Sequence, residues 1–159
     1  MLTKLLPDQI SKFWPIIKHS INESLPPIVG SHVDRMNNIL SGALSGKIDV
    51  WASYVRKDGL ATFDGIMLTK PLFDDVSMTR NLLIYCLCSF RDIPKESWIG
   101  GIGSLLKYAN KLGCASIIAY TELPGIVNIA QRLGGEAKYT YISFDVKELL
   151  ARFQDESNH

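Results

Sequence analysis

Three glycines, Gly100, Gly101 and Gly103, stand just before Leu105, Leu106, Ala109 and Leu112, whose spacing is that of one face of a helix. An uncharged apolar run from Asn81 to Phe90 comes before them, so the stretch reads as strand, glycine turn, helix. Glycine lets a backbone come close to a ligand, and the free N–H groups at a helix N-terminus lie at the positive end of its dipole. Such a turn suits a phosphate. Glycines in this pattern also allow a helix to pack closely on a sheet, and residue types alone do not separate the two uses. The turn lacks the Gly-Lys-Ser/Thr of a P-loop. No acidic residue ends the next strand as a dinucleotide fold requires, Glu122 coming nearest.

The other residues able to do chemistry are scattered. Cys86, Cys88 and Cys114 are odd in number and lack the paired spacing of a zinc site, so neither a disulfide framework nor a bound metal is expected. On a strand Cys86 and Cys88 share a face and read as small core hydrophobes. Adjacent Asp74 and Asp75 diverge on an extended chain and read as a solvated turn. His32 reads as a cap or surface residue at a helix start. Asp92 and Glu122 are the carboxylates nearest the two strand ends, and Tyr85, Tyr120, Tyr139 and Tyr141 are strand aromatics that could give up a proton. None is marked out as catalytic.

With 159 residues, 47% hydrophobic and 21% charged, the chain can bury a core as one domain, placed at 1–153 with a frayed tail at 154–159. A net charge of +1 gives no electrostatic case for nucleic acid or for an anionic membrane. The apolar run is well short of the roughly 20 residues of a membrane-spanning helix, and the N-terminus has no secretory pattern, so a cytoplasmic protein is expected.

The elements that must position these residues follow from periodicity. Ile10, Phe13, Trp14, Ile17 and Ile21 make one helical stripe over 8–22, with a kink or late start expected at Pro15. Met36, Ile39, Leu40 and Ala43 predict a second helix, closed near Gly46. Residues 48–55 alternate as a strand, Asp58-Gly59 marks a tight hairpin, and 60–68 returns with a bend at Asp64-Gly65. A connection over 70–75 leads to the long strand ending near Phe90. Beyond the glycine helix come a buried parallel strand at 115–121, a helix with Ile126, Ile129, Ala130 and Leu133 inward, a last strand over 139–146 and a short helix over 146–153.

That element order resembles the GNAT-type N-acetyltransferases over about residues 8–145. Their Q/R-x-x-G-x-G/A signature falls on Trp98, Ile99, Gly100, Gly101, Ile102 and Gly103, and a downstream asparagine and Leu-Gly ending match Asn128 and Leu133-Gly134. The resemblance implies a three-layer αβα fold with a mixed central sheet splayed at the cofactor site. It implies an acetyl-CoA-dependent N-acetyltransferase acting on a small-molecule or protein amine. Residues 98–104, Ser104 included, would lie on the pyrophosphate, Asn128 would lie near the pantetheine arm, and backbone groups near Phe90 to Ile93 would bind that arm and polarise the thioester. Trp98 stands where the family has Gln or Arg, and Ala130 where many members carry the tyrosine that protonates the leaving thiolate. The chain also resembles small divergent GNAT-like proteins of bacteriophage genomes, which would put it in a host cytoplasm. The alternative is a catalytically inactive binding or virion-associated module. The edge of the last strand offers a surface for a homodimer.

Overall fold

Apolar alternation along consecutive stretches builds a sheet, and the helical stripes cover both its faces. The computed structural model describes residues 2–159. In the part of the chain up to Glu122, a short β1 (Leu2–Lys4) leads into α1 (Pro7–Lys12), α2 (Trp14–Glu23), α3 (Arg35–Leu44), β2 (Asp49–Lys57), β3 (Leu60–Asp74), β4 (Thr79–Ser89), α4 (Lys95–Lys111) and β5 (Ser116–Ala119). Leu123–His159 is a separate compact unit holding α5 (Pro124–Arg132) and α6 (Val146–Ser157).

The sheet order is β1-β2-β3-β4-β5, antiparallel throughout except for the parallel β4–β5 pair. On one face Ile10, Ile17 and Ile21 of the first helices meet Val50, Ala52, Ile66, Leu68 and Cys86. On the other, Leu105 and Ala109 of α4 meet Trp51, Met67 and Leu82. The result is the three-layer mixed α/β arrangement anticipated from the sequence. Each fully buried Leu or Ile contributes about 2–5 kcal/mol by the cost of its truncation to Ala.

Several boundaries differ from the periodicity reading. The first helix is two helices: α1 closes at Phe13, and α2 restarts with Pro15 in its first turn, where the missing N–H has no intrahelical partner to lose. Strand β3 continues through Lys70 and Pro71 to Asp74 rather than ending at Leu68. Past Thr69 it has left β2, so Pro71 pairs only with Leu82 of β4 and its ring sits on an open edge. The hairpin forms as read, with Asp58 and Gly59 both at positive φ, 52° and 77°. No strand is assigned over the expected 139–146 among the described residues. Within the second unit Asp145 caps α6 by accepting from the Glu148 amide at 2.8 Å, and the helix continues through residues expected as a tail.

Candidate functional site

The site begins where β4 and β5 part. Leu68 of β3 pairs with Cys86 and Thr69 with Ile84, so Tyr85 is an extra residue with no partner across the ladder. Such a bulge bends its strand and sharpens the twist. Strand β5 pairs with β4 from Asn81 to Ile84 only and ends at Ala119, while β4 runs on to Ser89. The parallel pair therefore opens at the bulge. Beyond it, backbone groups of β4 have no β5 partner.

The loop after β4 is rich in free donors. The Phe90 amide donates to the Asp64 carbonyl at 2.8 Å. The next three amides, of Arg91, Asp92 and Ile93, make no hydrogen bond among the described residues. Pro94 is the N-cap of α4, and its carbonyl accepts from Ser97 and Trp98 at 3.0 and 3.2 Å, leaving the amides of Lys95 and Glu96 at the helix N-terminus unpaired among the described residues. Phe90 is thus already committed, and within residues 90–93 the donors that remain are the last three.

The expected glycine turn is a correction. Helix α4 starts at Lys95, so Trp98, Ile99, Gly100, Gly101, Ile102, Gly103 and Ser104 all lie within it. An amide inside an α-helix is bonded to the carbonyl four residues back, which occupies the donors the turn reading relied on. Pro94 starts the helix early because its fixed φ, here −58°, suits a helix entrance. The close-packing reading of the glycines fails as well: a Cβ added at Gly100, Gly101 or Gly103 would meet no atom within 4 Å. These glycines form a bare backbone surface on the front half of α4, while the helix is anchored by Leu105 and Ala109 further on.

Among the acid–base candidates, Tyr85 is half-buried against the core that α1 and α2 form with the sheet, and desolvation first, then the neighbouring Cys86, raises its phenol pKa. It is protonated at neutral pH. Asp92, Tyr120 and Glu122 are exposed. Tyr139 and Tyr141 are exposed in the second unit, as are Asn128 and Ala130 on α5. Burial pushes the Cys86 thiol up to about 12 and raises that of Cys88, so neither is a thiolate nucleophile. No group of three metal-ligating side chains occurs among the described residues.

Sequence reading missed Asp64 and Arg91. Asp64 is the extra residue of a second bulge, between the pairs Ser53–Gly65 and Tyr54–Phe63, and its carboxylate is ion-paired with Arg91. The Asp64-Gly65 bend was visible; its partner, separated by a strand, was not.

No protein-family model matches the chain, and no curated protein matches it. Solved structures do. One is a probable acetyltransferase, 9% identical, covering 92% of this chain and 96% of its own, with a TM-score of 0.65. Another is an acetyltransferase of Trypanosoma brucei, 15% identical over 92% and 99%, TM-score 0.63. A third, AAC(6')-Iy in complex with a bisubstrate analog, CoA-S-monomethyl-acetylneamine, is 14% identical over 91% and 96%, TM-score 0.61. With the bulged β4, the splayed parallel pair and helices on both faces, this chain has the fold of the GNAT-type N-acetyltransferases.

Proposed function

We propose that this protein is an acetyl-CoA-dependent N-acetyltransferase acting on an amine. The observation that carries the reading is the opening of β4 from β5 at the Tyr85 bulge, followed at once by three free amides and a bare glycine face. Acetyl-CoA, when bound, supplies an acetyl group activated as a thioester. The chain's own residues fit it. The amides of Arg91, Asp92 and Ile93 are donors for pantetheine and thioester carbonyls, of the kind that stabilise developing negative charge without reorganising. The amides of Lys95 and Glu96 and the open surface of Gly100, Gly101 and Gly103 offer the pyrophosphate a helix N-terminus with no side chain in the way. Trp98, Ile99, Ile102 and Ser104 border that surface. Tyr85 is the proton donor best situated for the departing sulfur, being neutral and half-buried at the opening.

Amine acceptors are favoured because solved structures of this fold include an aminoglycoside acetyltransferase in complex with sisomicin and a ribosomal-protein-alanine N-acetyltransferase. A second reading, a binding module without catalysis, is favoured by Ala130 and Trp98 at positions where the resemblance expects tyrosine and Gln or Arg.

Calorimetric titration with acetyl-CoA and with CoA, repeated on Gly101→Glu/Gly103→Glu, tests the reading. Micromolar binding that disappears in a folded variant supports it, and release of free thiol with an amine panel then separates enzyme from module. No binding by the wild-type chain overturns it.

A further inference from the structure

We propose that Asp64 and Arg91 are positioning residues for acetyl-CoA, holding the loop over 90–94 so that its free amides face the opening between β4 and β5. The inference rests on the function proposed above and adds residues to the same site.

Three contacts converge where β4 ends. The Asp64 carbonyl accepts from the Phe90 amide at 2.8 Å, and the Asp64 carboxylate is ion-paired with the Arg91 guanidinium. One residue on, Gly65 lies so close to β4 that an added Cβ would stand 2.9 Å from the Cys88 carbonyl oxygen. Backbone and side chain of one bulged residue thus grip two successive residues of the loop, and a glycine beside it permits the approach. The Asp64 side chain is 17% exposed and that of Arg91 52%, so the charge pair is only partly screened by water. The amides of Arg91, Asp92 and Ile93 come directly after this grip and are otherwise unbonded.

A loop held by nothing would have to order its amides when ligand arrives, and that ordering cost would weaken binding. The pair removes this cost beforehand. Asp64 and Arg91 touch no reacting atom in this scheme, so their effect falls on the pantetheine portion of the ligand, and less on the adenosine end.

The test is calorimetric titration of Asp64→Asn, Arg91→Gln and the double variant with acetyl-CoA and with adenosine 3′,5′-bisphosphate, which lacks pantetheine. Each single variant is expected to lose about tenfold in acetyl-CoA affinity, or about 1.4 kcal/mol, with the double no worse than either single. Affinity for the bisphosphate stays within twofold. Hydrogen exchange at the Phe90 amide, which needs no ligand, speeds up at least tenfold in Asp64→Asn. Should one variant fail to fold, the half-exposed Arg91→Gln carries the test. Equal losses for both ligands, or no loss in a variant that has unlocked Phe90, overturn the inference while leaving the transferase reading intact. No acetyl-CoA binding by the wild-type chain overturns both.

Discussion

Replacing Gly100, Gly101 and Gly103 with alanine sets stability against binding. Gly is about 0.8–1.0 kcal/mol less favourable than Ala in a helix interior, so three replacements offer about 3 kcal/mol if the front half of α4 is helical in the free protein. No clash offsets this gain, since a Cβ at any of the three has open space for 4 Å. For a chain of this size 1 kcal/mol corresponds to roughly 2–4 °C in melting temperature, so the triple variant should melt up to about 10 °C higher. The gain is felt only as far as that half is ordered, because the buried anchors of α4 are Leu105 and Ala109. Thermal and urea unfolding followed by circular dichroism measure it. Acetyl-CoA affinity should move the opposite way, falling at least tenfold as three methyl groups cover the bare backbone. A triple variant no more stable than wild type would refute the reasoning: the glycines would then form a turn in solution rather than helix. Unchanged affinity in a stabilised variant would remove the pyrophosphate from this face.

Gly65→Ala drives a methyl group against the Cys88 carbonyl oxygen and should destabilise by about 3 kcal/mol, read from urea unfolding. Tyr108→Phe removes the hydroxyl that donates to Asp49, itself 3.4 Å from Lys4, and should cost about 1–2 kcal/mol by the same assay while leaving the edge contact with Trp51 in place. Cys86 gives a pH dependence. Its native pKa of about 12 is raised above the ordinary 9.0, so the native state keeps a proton that the unfolded chain releases. That stability is fully present below pH 9 and is lost as pH rises from 9 towards 12, at no more than about 1.4 kcal/mol per unit. Cys86→Ala should flatten the stability–pH curve in that window relative to wild type, and the wild-type thiol should resist alkylation at pH 8 in the folded state.

The parts of this structure legible in its sequence are those encoded by residue type. Asp58-Gly59 fixes a hairpin because both positions need positive φ, and the buried faces of β2, β3 and α4 follow from where the apolar residues fall. Boundaries set by competing neighbours were not legible. The early start of α4 depends on Pro94, and the extension of β3 past Thr69 depends on β4 alone being there to pair with it.

The candidate site is harder to read for a related reason. A residue in a bulge carries no mark of it: Tyr85 and Asp64 acquire that role from pairings made across strands, between Thr69 and Ile84 and between Ser53 and Gly65. The donors proposed to hold acetyl-CoA are amides of Arg91, Asp92 and Ile93, and an amide is the same whatever side chain it carries. Acetyl transfer on this fold therefore asks little of residue identity and much of backbone placement, so departures such as Trp98 and Ala130 need not remove the site. What must be kept are the features that place the backbone, Gly65 beside β4 and the Asp64–Arg91 pair that holds the loop as it leaves the sheet.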